Sequence, residues 1–199
     1  MTVEIRPFAP EDAPWLVRQH GLLYGRDEGF DETFAPLVAD ILAGFVAKHD
    51  PECERGWIAW DGETRLGSIF CVRLDAETAK LRLFLLVPEA RGLGLGRRLL
   101  ETCMGFAREA GYRRMQLWTH AEHEAACALY ARHGCTRVSC VPVHSFGRDL
   151  TEEQWEISLR ATRWFRMRNR GFEGAGLVLL GKDFLKVNII RSCGKIMKY

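Results

Sequence analysis

No apolar run in this chain of 199 residues approaches the roughly 18 needed to cross a bilayer, so neither a helical membrane span nor a membrane partner is expected. The opening stretch MTVEIRPFAPEDAPW has no basic region followed by an apolar one, so no secretory signal is expected. CxxC pairs are absent, and the seven cysteines are an odd number, which argues against a closed disulfide framework. Reduced thiols in a cytoplasmic protein are the expected state. In HAEHE, His120 and His123 stand three apart rather than four, and no cysteine spacing adds a partner, so no metal site is expected. Internal repeats and low-complexity tracts are also lacking.

Hydrophobic residues make up 47% of the chain and charged residues 27%, the balance of a globular domain with a sizeable core. The net charge of +2 hides two unlike segments. Residues 160–199 hold ten Lys/Arg against two acids (+8), whereas residues 1–159 hold 18 against 24 (−6). One domain over 1–159 and a basic extension over 160–199 are expected.

VEIRPF alternates and predicts a strand, and APEDAPWLVRQHG opens with helix-start chemistry. Phe34, Leu37, Val38, Ile41, Leu42 and Phe45 recur at spacings of three and four, predicting a helix within residues 31–48. GWIAWDGETRLGSIFCVRL reads as a hairpin turning at DGET, and AKLRLFLLV as a strand central in a sheet. Leu99, Leu100, Cys103, Met104 and Ala107 share one helical face, which Gly111 is placed to cap. YRRMQLWTH predicts a strand, EHEAACALYARHG a helix ending at Gly134, and TRVSCVPV and QWEISL the closing strands. The order β-α-α-β-β-β-α-β-α-β-β specifies an α/β single domain, a mixed central sheet with helices on both faces.

The stretch VPEARGLGLGRRLL joins a strand to a helix and spends three glycines on five positions. Glycine is the costliest ordinary residue in regular structure, so the run needs a reason. The dinucleotide pattern GxGxxG fails in both frames, at Arg97 or at Leu99, and the P-loop GxxxxGK[ST] is absent. What stands there is R-x-x-G-x-G, Arg91-Gly92-Leu93-Gly94-Leu95-Gly96. Such a turn aims successive N–H groups and the positive end of the helix dipole at one spot, which suits a pyrophosphate. Arg97 and Arg98 oppose the dipole in the first turn and make sense beside a phosphate-rich ligand. A glycine-rich turn with a solvated basic end is the alternative.

LFLLVPEARGLGLGRRLL resembles the acetyl-CoA-binding segment of the GNAT superfamily of N-acetyltransferases, a strand ending L-x-V-x-P followed by R/Q-x-x-G-x-G/A. Aligned on Pro88, Phe84 takes the leucine position and Leu86 the valine. ACALYARHGC resembles a later helix of that family. Residues 20–159 are also similar to the acetyltransferase half of proteins that fuse a MarR-type regulator to a GNAT domain; no winged-helix region is read before them, so the enzyme domain alone is expected.

The resemblance implies a fold, a cofactor and roles. Phe84, Leu85, Leu86 and Val87 would carry the pantetheine arm of acetyl-CoA, with the Leu86 N–H facing the thioester carbonyl. The amides of Arg91, Gly92, Leu93, Gly94, Leu95, Gly96 and Arg97 would hold the pyrophosphate. His120 stands where relatives usually offer an Asn to the cofactor. Tyr130 occupies the position of the tyrosine that protonates the departing thiolate; the bland reading is a core aromatic.

An amine acceptor must lose a proton before it attacks. Many relatives carry a carboxylate in the strand before the glycines, but here Lys80, Arg82 and Leu83 stand there. His144 is the preferred base, because imidazole titrates near neutral pH; Glu28, Asp31 and Glu122 are the other candidates. The acid-rich YGRDEGFDETF suits a cationic amine, whereas Lys80 and Arg82 suit an acceptor bearing a carboxylate. The expected function is acetyl transfer to a primary amine of a small molecule or protein. The alternative is a non-catalytic module that senses acyl-CoA or binds nucleic acid. The tail mixes arginines with Trp164 and Phe165 but has no nucleic-acid motif, so nucleic acid is not the expected partner; GLVLLGKDFLKVNII within it reads as two short strands or as an unrelated extension. A homodimer is left open.

Overall fold

The computed structural model describes residues 2–159, so the basic extension, with the two short strands read in it, lies outside the described residues. Strand β1 (Val3–Pro7) is followed by a 3-10 turn at Pro10–Asp12 and by helices α1 (Ala13–Glu28) and α2 (Phe34–Lys48). A hairpin, β2 (Arg55–Asp61) and β3 (Thr64–Arg73), precedes β4 (Thr78–Leu86), α3 (Leu95–Glu109) and β5 (Arg114–His120). Helix α4 (Glu124–Arg132) and strands β6 (Thr136–Ser145) and β7 (Arg148–Ser158) complete the described chain. One seven-stranded sheet runs β1-β2-β3-β4-β5-β7-β6, antiparallel except for the β4–β5 pair.

Apolar residues on the two faces of the sheet build two cores. On one face the stripe of α3 expected from its spacing is buried: Leu99, Leu100, Cys103, Met104 and Ala107 pack with Leu81, Met115 and Leu117. On the other, Leu16 of α1 and Val38 and Leu42 of α2 cover Ile58 and Phe70. The α2 stripe is wider than its core needs: Leu37 is 41% exposed and, with Ile41, turns toward a cleft.

Two features shape that cleft. β4 and β5 pair only through Thr78–Lys80 with Arg114–Gln116; beyond, β5 stays with β7 over its whole length and parts from β4. In β4 the register against β3 slips between Ser68 and Phe70, and Leu83 takes a left-handed φ of 47°. The buried Ser68 hydroxyl donates to the Leu83 carbonyl at 2.6 Å and pins this bulge.

The closing hairpin differs from the sequence reading. TRVSCVPV and QWEISL are the cores of longer strands that meet at a two-residue turn, Phe146-Gly147, with φ of 54° and 73°. Phenylalanine is a poor choice for positive φ, so the turn carries no sequence signal. Its ring packs at 4.8 Å from Phe30 and 4.9 Å from Phe34, and these contacts offset the unfavourable backbone.

Candidate active site

The glycine turn presents free donors. A 3-10 turn at Pro88–Ala90 leads into it, Gly92 and Gly94 both have φ of 76°, and α3 starts at Leu95. The first helical bond of α3 runs from the Arg98 N–H to the Gly94 carbonyl. The amides from Gly92 to Arg97 therefore donate to no carbonyl among the described residues, and the dipole adds positive potential at the same place. A Cβ on Gly92 or Gly94 would meet nothing within 4 Å among the described residues. Glycine is needed there for its backbone angle, and the open side is left to a ligand.

The side chains around the turn differ from expectation. The Arg91 amide already donates to the Pro88 carbonyl, and its guanidinium ties the turn to the Leu86 carbonyl and to Asp27 of α1. Arg97 pairs with Glu101 and Arg98 donates to the Val3 carbonyl, so their place in the first turn is explained by protein partners. Val87 donates its amide to Leu66, which removes it from the arm-binding set. By the alternation of a strand, the Leu86 N–H points the opposite way, into the gap between β4 and β5.

That gap is the mouth of an open cleft of about 1460 Å³. Phe84, Leu85, Leu86, Arg91, Gly92, Gly94, Gly96 and Arg97 line one side, and His120 and Tyr130 line it as well. Its size exceeds the few hundred to 1,000 Å³ usual for one small ligand and leaves room for a second beside an acyl donor. Tyr130, near the end of α4, lies between Phe84 and Trp155 at 6.3 and 6.4 Å. It is 4% exposed, and burial, with Tyr24 and nearby cysteines, pushes its phenol far above the usual range.

His144 is not brought to the cleft. The sequence reading made it the preferred base, but it stands on the β6–β7 hairpin with its side chain 70% exposed, paired with Asp149 at 2.7 Å. The reason is that β6 runs on past Val143 to Ser145 and carries the imidazole outward. Asp31 is held by Thr33. Glu122 and Glu28 do line the cleft, and Glu28 accepts from His123 Nε2 at 2.9 Å with both side chains under one-fifth exposed.

His123 is the residue that sequence reasoning missed. It precedes α4, with Nδ1 3.4 Å from the Thr119 hydroxyl and its ring 5.2 Å from Tyr24. Glu28 lies far away in sequence, so no spacing announces the pair. Tyr24 is pushed up to about 12 by burial and by Glu28. His120 packs against Phe30 at 5.6 Å and His123 at 5.8 Å; burial and His123 lower its pKa. Phe30, Phe34 and Phe146 add an aromatic wall.

A parted parallel pair, a pinned bulge and a helix start with free amides form one cleft, and the profile of the Acetyltransferase (GNAT) family matches residues 15–135. The chain belongs to this family. Family members use acetyl-CoA, and the free amides from Gly92 to Arg97 and the Leu86 N–H fit its pyrophosphate and arm. A mycothiol acetyltransferase of Geodermatophilus obscurus is 34% identical over 87 residues, which cover 41% of this chain and 28% of that protein. The match thus spans less than a third of that relative's own length. An acetyltransferase of Streptococcus agalactiae superposes with a TM-score of 0.66 at 25% identity, covering 78% of this chain and 98% of its own. The putative acetyltransferase yncA of Salmonella typhimurium, solved with its cofactor acetyl-CoA, shares the fold at a TM-score of 0.64 and 19% identity, covering 81% and 96%.

Among the described residues no group of three or more His, Cys, Asp or Glu side chains is placed to hold a metal ion, and no helix is long and apolar enough to cross a membrane.

Proposed function

We propose that this GNAT protein is an N-acetyltransferase that moves the acetyl group of acetyl-CoA to a primary amine. The observation that carries the proposal is that the glycine-turn amides, the parted β4 edge and Tyr130 line one cleft. The amides from Gly92 to Arg97 hold the pyrophosphate, and the free edge of Phe84–Leu86 takes the pantetheine arm as a missing strand would be taken. The Leu86 N–H donates to the thioester oxygen, where negative charge grows as the amine nitrogen attacks.

The Glu28–His123 pair takes the proton that the amine must lose, replacing His144 in that role. As the C–N bond forms and the C–S bond breaks, Tyr130 donates its proton to the departing sulfur. Burial keeps the phenol protonated at neutral pH but also makes it a weaker acid than a free phenol, so the transfer is driven by the sulfur charge that develops beside it as the C–S bond breaks. An amide and a free thiol leave, and Tyr130 regains its proton by way of water or the Glu28–His123 pair.

The six described cysteines are free thiols, which supports a cytoplasmic setting. The finer kinship with the acetyltransferase half of MarR–GNAT fusions rests on the sequence stretches that suggested it and stays part of this proposal, as does the division at residue 159. The test is thiol release from acetyl-CoA across amines, amino acids, polyamines and peptides, with acetyl-CoA binding measured alongside. Turnover with at least one amine is expected. Binding without turnover on any acceptor would give the protein to the non-catalytic acyl-CoA sensor instead.

A further inference from the structure

Two cations stand on the β4 side of the cleft with unequal company. Lys80 and Arg82 pair in register with Val72 and Phe70, and Phe70 belongs to the core under α1 and α2, so both face the same side of the sheet. Both line the cleft. Lys80 lies over Trp118 at 4.3 Å and feels the charge of Glu152, which also lines the cleft. Arg82 has no such company. Among the described residues no carboxylate, carbonyl or ring is bonded to its guanidinium, although it is part-buried and burial lowers its pKa.

A guanidinium drawn part-way out of water without a counter-charge costs stability. Glu152 offsets Lys80, and Arg82 is the one of the two cations with no carboxylate bonded to it among the described residues. A planar fork with a single net charge matches a carboxylate, which it can hold through two parallel hydrogen bonds. The same cleft has an aromatic lining: the rings of Phe30, Phe34 and Phe146 stand 4.8–5.0 Å apart, and Leu37, 41% exposed, lines it too. The two observations, one of charge and one of shape, describe the two ends of one molecule.

We propose that the acceptor is an amine that also bears a carboxylate, which pairs with Arg82, and an apolar body, which lies on the Phe30–Phe34–Phe146 wall: an apolar amino acid or a short peptide of one. This deepens the acetyltransferase reading and rests on it. Polyamines are disfavoured, because a second ammonium would meet Arg82.

Binding is measured by calorimetry on the full chain loaded with CoA, using N-acetyl-phenylalanine against N-acetyl-phenylalaninamide and the same pair built on leucine and on tryptophan. Each acid is expected to bind at least about tenfold tighter than its amide, as a charge-assisted bond implies. Arg82→Gln should shrink that preference below about twofold, and Arg82→Lys should keep part of it because it keeps the charge without the fork. Equal affinities of acid and amide throughout, or a preference that survives Arg82→Gln, overturn the proposal. A ligand-free measurement is independent of any chosen probe: Arg82→Met should raise the melting temperature by about 2 °C or more, since it removes an unpaired, part-buried charge. A fall would mean that Arg82 serves packing, and would overturn it. Acids that bind through Arg82 without any amine being acetylated would sink the enzyme reading and leave this anion site standing. Acetylation indifferent to the carboxylate would do the reverse.

Discussion

Tyr130 combines a buried ring with a hydroxyl on the cleft, and substitution can separate the two. Tyr130→Phe keeps the ring between Phe84 and Trp155 and removes only the proton donor. We expect turnover to fall about 10- to 1,000-fold, the lower part of the span for losing a general acid, because water can reach a thiolate. Melting temperature and acetyl-CoA affinity should change little; unchanged turnover would take Tyr130 out of the mechanism. His20 gives a second prediction, on pH. It is 2% exposed, its Nδ1 donates to the Leu16 carbonyl at 2.9 Å, and its Nε2 has no hydrogen-bond partner among the described residues. Burial lowers its pKa from 6.5 to about 4, so between those values the unfolded chain binds the proton and the native state does not. Stability therefore falls on acidification through that window, by up to about 3 kcal/mol from this residue. Urea unfolding at pH 7 and pH 4.5 should show the loss, and His20→Asn, which keeps a donor for Leu16, should show a smaller one. An equal loss in the variant would assign the pH dependence to other groups.

At the scale of elements, the turn from β4 into α3 was legible because it demands rare backbone. Gly94 holds φ of 76° at the start of α3 with open space where a Cβ would go. Gly94→Val adds roughly 1–2 kcal/mol of strain and also fills the ligand's approach. Gly134, with φ of 81° and equally open space, lies at the end of α4, so Gly134→Val carries the strain without the obstruction. Both variants should melt lower. Only Gly94→Val should lose the stabilisation by acetyl-CoA, about 2.7 kcal/mol at a hundredfold excess over Kd; a full shift in that variant would place the ligand elsewhere. The order and type of the helices and strands in the described domain could be read from periodicity and turn residues, though the 3-10 turns at Pro10–Asp12 and Pro88–Ala90 could not. The β6–β7 turn could not, since Phe146 holds positive φ by packing on Phe30 and Phe34 rather than by its own preference. The same limit hid the proposed base pair: Glu28 and His123 meet where the end of α1 and the start of α4 come together in space, a contact that no sequence spacing announces.

At the scale of the molecule, the described domain closes on itself at its last residues. β7 pairs with β5 from Arg114↔Ser158 to His120↔Glu152, the Leu159 N–H donates to the Arg113 carbonyl, and the Leu159 side chain is 3% exposed. Removing residues 161–199 should therefore leave a folded protein whose acetyl-CoA affinity is within a few-fold of the full chain, as circular dichroism and calorimetry would show. Insoluble or unfolded truncated protein would mean that the extension completes the core.

The three-residue ladder between β4 and β5 has a further consequence. It makes the sheet two plates, β1–β4 and β5–β7–β6, joined by a narrow seam in their shared plane and bolted together by α3 and α4 across one face. An acyl donor lying along the open edge of β4 would act as a splint over that seam, and its departure would take the splint away. Each catalytic cycle would then alternate a braced sheet with an unbraced one, and slow-exchanging amide protons along Phe84–Leu86 would register which of the two the molecule occupies.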